Sequence, residues 1–122
     1  MFRPELLDRT KAFAIAVIRL HNALPRRSDA WTLGRQLLRS GTSIGANYRE
    51  SQRSRSSLEF ISKVHIALQE AEETCYWLEL LVGAGIVANE VVGPLLQEST
   101  ELCAILSAVI RSAEESMRRG RS

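Results

Sequence analysis

From Leu58 to Val82 the residues Leu58, Ile61, Val64, Leu68, Ala71, Cys75, Leu78 and Val82 follow at steps of three and four, uninterrupted by proline or glycine. Side chains spaced this way share one face of an α-helix, whereas a half-buried strand needs a period of two. The spacing therefore predicts a long amphipathic helix. Ser56, with Glu59 three residues later, matches a capping box and sets the helix start near Ser56 or Ser57. A helix with one apolar face must bury that face against other elements, and the rest of the chain supplies more helices.

Leu6, Phe13, Val17, Leu20 and Leu24 mark a first helix, with Pro4 fitting its first turn and Pro25 stopping it. Ala14, Ile15 and Ile18 widen its apolar surface, so it should meet partners on more than one side. After the connector LPRRSDA, where Ser28 or Asp29 can cap, Trp31, Leu33, Leu37, Leu38, Ile44 and Tyr48 carry a second helix towards Arg53. GAGIVANE ends the third helix, with Gly83 and Gly85 suited to a left-handed C-cap and Asn89 to the next N-cap. Val91, Leu95, Leu102, Ile105 and Val109 mark the fourth, with Pro94 near its first turn. Four long helices on short connectors favour antiparallel neighbours, so the expected fold is all-α, an antiparallel up-down-up-down four-helix bundle in a single domain over 1–122.

The bundle's layout brings the N-terminus, the second connector and the C-terminus to one end. Arg49, Arg53, Arg55, Arg118, Arg119 and Arg121 gather there as candidate nucleic-acid contacts, but Glu5, Asp8, Glu50, Glu59, Glu114 and Glu115 accompany them. The formal net charge is +2, from 16 basic and 14 acidic residues, too slight to demand a polyanionic partner. Two cysteines, Cys75 and Cys103, lie within helical patterns, which favours reduced core thiols over a disulfide framework or a metal site. No uncharged stretch approaches the roughly 18 residues needed to span a bilayer, and the N-terminus has no signal-like apolar run. A cytoplasmic chain without cofactor, metal or membrane contact is expected, and no small-molecule substrate is evident.

The segment GTSIG, 41–45, reads as G-x-S-x-G, the pattern that presents a hydrolase serine. A nucleophile elbow needs a strand entering a sharp turn and a histidine later in the chain. No strand is expected here, and the only later histidine, His65, lies on a regular helix. A phosphate-binding loop needs Lys and Ser/Thr after its last glycine, where this chain has Ala46 and Asn47. The better reading is a helix thinned at Gly41 and Gly45, four apart on one face, so that another helix can approach; the alternative is that both glycines are merely tolerated. Ser43, Asn47 and Glu50 form a polar line beside them. Pairing the second and third helices about Ser54 brings Ser43 near His65, Asn47 near Ile61, and Arg39 near Gln69, Glu70 or Glu73. A register-fixing polar network of Arg39, Ser43, Asn47, Glu50, His65, Glu70 and Glu73 is the expectation, with His65 a satisfied interior histidine. Trp31, Trp77, Leu80 and Leu81 fall off the best core stripes and are candidates for a seam between subunits.

QLLRSGTSIGANYRES followed by SSLEFISKVHIALQEAEETCYWLELL resembles the 23S rRNA intervening-sequence proteins, a four-helix-bundle family. The family pattern runs Q-L-x-R, S-I-x-A-N-x-x-E, a serine-rich turn, F-I, I-A and a glutamate-rich segment with Tyr and Leu. Here those positions are Gln36, Leu37, Arg39, Ser43, Ile44, Ala46, Asn47, Glu50, Phe60, Ile61, Ile66, Ala67, Glu70, Glu73, Tyr76 and Leu78. The resemblance spans roughly residues 6 to 112. It implies a closed ring of bundles, usually a homopentamer, without enzymatic activity. A related, strongly basic group serves diversity-generating retroelements as an accessory protein that engages reverse transcriptase and RNA. The expected function is thus a non-catalytic, ring-forming interaction protein whose partner is a further copy of itself. The alternative is an RNA- or DNA-binding accessory protein using the arginine rim, with nucleic acid or a nucleic-acid enzyme as partner.

Overall fold

The computed structural model describes residues 3–120 and folds them into four helices: α1 (Glu5–Ala23), α2 (Ser28–Ser51), α3 (Ser57–Gly83) and α4 (Asn89–Arg118). Contacts between helices fix their directions. Gly34, Gly41 and Gly45 of α2 face His21, Val17 and Thr10 of α1 in descending order, so these two helices are antiparallel. Ser40 and Glu50 of α2 meet Thr74 and Lys63 of α3, again in opposite senses. Arg9 pairs with Glu98 and Glu101 of α4, while Ala12 and Ala16, further along α1, border Pro94 and Leu95, earlier in α4. The all-α up-down-up-down four-helix bundle follows. Packing is extensive between sequence neighbours and slight between α1 and α4, and the α1 and α3 backbones sit diagonally, without close approach.

One core runs through all four helices, with Leu6 and Val17 from α1, Leu37, Ile44 and Tyr48 from α2, Val64, Leu78 and Leu81 from α3, and Leu102 and Leu106 from α4 fully buried. Each burial withdraws a large apolar side chain from water, contributing roughly 1.5–3 kcal/mol before entropy is charged against it. Tyr48 carries a polar tip into this core. Its hydroxyl donates to the Arg3 carbonyl at 3.1 Å and accepts the Arg3 N–H at 3.2 Å, pinning the entry to α1, and burial pushes its pKa up.

The helix ends correct several expectations. Ser56 Oγ accepts the Glu59 N–H at 3.1 Å, as a capping box requires, while the Glu59 carboxylate reaches the N–H of Arg55, one residue before the usual partner. Ser28 and Asn89 are not caps. Each is the first helical residue, behind extended Arg27 and Ala88, and neither helix has a side-chain cap. Asp29 instead chelates the Arg27 guanidinium at 2.7 Å, and its carboxylate accepts the N–H of Ala30. Gly85 takes a left-handed conformation, φ +73°, after α3, where a side chain would be strained. Pro94 lies in the second turn of α4, so the Glu90 carbonyl loses its helical partner, on a residue that faces water.

Two residues taken for core stand outside it: Leu58 is 68% exposed and Val91 53%. Glu50, almost at the end of α2, is level with Lys63 and not with Leu58. The first turn of α3 therefore projects past the end of α2, and Leu58 lies there on the exposed strip it shares with His65 and Glu72. In α4 the buried side chain is Val92, one position on from Val91.

Candidate functional site

Ser43 sits in the middle of the unbroken helix α2, and its hydroxyl lies 2.6 Å from the Arg39 carbonyl, to which it donates. Its proton is thus committed to its own backbone. The G-x-S-x-G spacing here is a helix repeat, with neither strand nor sharp turn beside it. The glycines explain themselves on the α1 side. A Cβ at Gly41 would lie 2.9 Å from both Val17 methyls, and one at Gly45 would lie 2.8 Å from Thr10 Oγ1, so the missing side chains set the α1–α2 approach. Gly34, seven residues before Gly41, belongs to the same strip and was legible at that spacing, yet the sequence reading did not use it.

The α2–α3 joint holds part of the expected polar network. Arg39 donates from Nη2 to Glu73 at 2.7 Å and from Nη1 to Glu70 at 3.2 Å, and hydrogen bonding to Glu73 is the leading reason its pKa is raised. Glu50 pairs with Lys63 at 2.6 Å and raises the lysine's pKa. Asn47 donates from Nδ2 to the Ser43 carbonyl at 2.8 Å and so stays within its own helix. His65 departs from expectation. Seven residues from both Leu58 and Glu72, it shares their exposed strip of α3, pointing away from α2, and it is neither interior nor part of the network. The pairing about Ser54 is off by about a turn, since Ser40 lies level with Thr74 and Glu50 with Lys63, but no shift along the axis would turn the His65 strip towards α2. The buried polar link between the two helices is one the sequence did not announce: Thr74 Oγ1 lies 2.9 Å from Ser40 Oγ and 2.7 Å from the Glu70 carbonyl oxygen. Two small hydroxyl residues inside apolar stripes were its only signal.

Of the four residues considered for a subunit seam, Leu81 is excluded, since it is fully buried. It lies seven residues on from Thr74, on the strip of α3 that α2 covers. Trp31 is 63% exposed, with the Arg35 guanidinium 4.9 Å above its ring, while Trp77 and Leu80 are half-buried. Trp77 stacks obliquely on Tyr76, and its indole nitrogen is buried without an acceptor among the described residues. The other large exposed apolar side chains are Ile15 and Ile18 on α1, Leu58, Ile66 and Tyr76 on α3, and Val91 on α4. An open, largely apolar hollow of about 560 Å³ lies at the α1–α2 turn beside Trp31, His21 and Leu24.

Arg49, Arg53 and Arg55 are exposed around the end of α2 and the following connector, and Arg118 and Arg119 near the end of α4. Arg121 lies outside the described residues. Arg119 pairs with Glu115 one turn earlier, and a polar hollow at the connector mixes Arg53, Arg55 and Lys63 with Glu50 and Glu59. The basic groups are interleaved with acids. No helix among the described residues is long and apolar enough to cross a membrane.

The model of the 23S rRNA-intervening sequence protein family matches residues 5–108, which takes in α1 to α3 and two thirds of α4. The chain belongs to that family. A crystal structure of a Bacteroides thetaiotaomicron protein, described as of unknown function and of the S23 ribosomal protein family, is similar at 39% identity. The similarity covers 85% of this chain and 96% of that one, with a TM-score of 0.80. No functionally curated protein matches significantly. Among the residues that carry the 23S rRNA-intervening sequence protein pattern, Leu37, Ile44, Ala67 and Leu78 are fully buried and Arg39, Glu70 and Glu73 form the α2–α3 clamp. The motif is thus largely a packing motif.

Proposed function

We propose that this chain is a non-catalytic subunit of a closed homo-oligomeric ring, five copies by the family resemblance, which serves as an interaction platform. One observation carries the reading: large apolar side chains are exposed on two diagonal faces of the bundle, Ile15 and Ile18 on α1 and Leu58, Ile66 and Tyr76 on α3. A two-fold dimer needs one self-complementary patch, whereas a head-to-tail contact needs two different ones and closes into a ring when its rotation permits. Exposed apolar area of this kind marks association surfaces on soluble domains. Light scattering on the purified protein tests it: the expected mass is that of five chains of 13.6 kDa, and a single-chain mass overturns the ring.

The arginine rim supports a second reading, nucleic-acid binding. Arg49, Arg53, Arg55 and Arg118 are exposed at one end of the bundle and engage in no ion pair among the described residues. Binding through phosphates would weaken by ~0.7–0.9 log units per neutralised phosphate for each log unit of salt. Filter binding at two salt concentrations reads this directly, and no retention at low salt removes the second reading while leaving the ring intact.

A further inference from the structure

The chain's only two cysteines come from different helices and meet where α3 packs on α4. Cys75 Sγ lies 3.0 Å from Ser99 Oγ and 3.9 Å from Thr100 Oγ1, and Cys103 follows Ser99 by one turn on the same strip of α4. Each thiol is the largest influence on the titration of the other, so that Cys75, Ser99, Thr100 and Cys103 make one cluster across the α3–α4 joint. Both thiols are half-buried and so remain within reach of a small solute. Neither the packing nor the proposed ring contact calls for two thiols here, since α3 and α4 already meet through their apolar stripes.

We propose that Cys75 and Cys103 form an oxidisable dithiol, in which Cys75 is the attacking sulfur towards small hydroperoxides and Cys103 resolves the product as a disulfide joining α3 to α4. The chemistry balances with hydrogen peroxide as the oxidant. Cys75 sulfur attacks one peroxide oxygen, the O–O bond breaks, and a sulfenic acid and water result once the leaving hydroxide takes a proton. Cys103 sulfur then attacks the sulfenic sulfur, the S–O bond breaks, and a second water leaves as the S–S bond forms. Two thiols lose two electrons and two protons, and one peroxide becomes two waters.

The division of labour follows from the surroundings. Interaction with the Cys103 thiol is the largest cause that brings the Cys75 pKa down, to about 6, against burial and the charge of Glu79. That direction favours the thiolate, the reactive form, at Cys75. Cys103 is driven the other way by the neighbouring Cys75, by burial and by Glu72, which favours its protonated form and the resolving role. The reagent must be small and uncharged, since Glu72 and Glu79 flank the pair.

The test uses the intact chain treated with hydrogen peroxide and mapped without reduction. Trypsin cannot separate the two cysteines, because no Lys or Arg lies between Lys63 and Arg111, but cleavage after Glu79, Glu90, Glu98 or Glu101 does. The expected result is a Cys75–Cys103 linked peptide pair that falls apart on reduction. In Cys103→Ser a dimedone-type probe should trap sulfenic acid at Cys75, and in Cys75→Ser oxidation of the remaining thiol should slow by about tenfold or more. Disulfides between copies, oxidation of Cys75 past the sulfenic stage with no link to Cys103, or no reaction of the folded wild-type chain would each overturn the proposal. The wild-type map decides the matter even if a variant fails to fold.

Discussion

A methyl group added at Gly41 would press on both methyls of Val17, a fully buried β-branched residue with no free rotamer to retreat to. Gly41→Ala should therefore destabilise by about 1–3 kcal/mol, although alanine is the better helix former by ~1 kcal/mol. At Gly34 the nearest atom is Leu24 Cδ1, the far end of a flexible side chain, so Gly34→Ala should cost less than Gly41→Ala. Gly93, inside α4, has nothing within 4 Å of a built Cβ, and Gly93→Ala should stabilise by about 0.5–1 kcal/mol. Urea unfolding followed by far-UV circular dichroism ranks the three, and equal effects would show that packing does not distinguish them. The spacing of Gly41 and Gly45 made a close approach legible in the sequence. Which helix approaches was not, because the same spacing would serve α3 as well as α1.

At the scale of elements, the side-chain hydrogen bonds between α1 and α4 among the described residues all come from one residue. Arg9 donates from Nε and Nη2 to the two carboxylate oxygens of Glu98 at 2.6 and 2.7 Å, and from Nη2 to Glu101 at 2.6 Å, beside an open groove of about 360 Å³. Hydrogen bonding to Arg9 holds the Glu101 pKa below its ordinary value of 4.5. The sign follows: Glu101 contributes stability that is fully present above the unfolded-state value and is lost as pH falls through the lower folded-state value. The α1–α4 joint should loosen below about pH 4.5, seen as faster amide exchange in α1, and Arg9→Met should remove most of that pH dependence. Helix existence and type were readable because long runs at steps of three and four admit no other regular structure. Ser56 as the α3 cap and Gly85 as a left-handed residue were readable too, but the starts of α2 and α4 and the helix register were not, since Asp29 has an arginine to bind before it can cap and the second connector lets α3 begin beyond the end of α2. His65 was misplaced because its strip of α3, one position on from buried Val64, turns away from α2.

For the whole molecule, the two diagonal apolar faces make a prediction that separates a ring from a two-fold dimer. Ile18→Asp and Tyr76→Asp change exposed side chains, so each variant should fold yet sediment as a single chain. Mixed together, they retain one intact face each and should form a two-chain species and nothing larger. Analytical ultracentrifugation reads the outcome, and variants that stay in large assemblies would show that the contact lies elsewhere. The slight α1–α4 joint also bears on how the chain reaches its fold. It is the one interhelical contact between helices far apart in sequence, and nearly all other packing joins a helix to the next one along. Little loop-closure entropy stands in the way, so after dilution from denaturant a subunit should regain its helices within milliseconds, and any slower phase would report the encounter of copies.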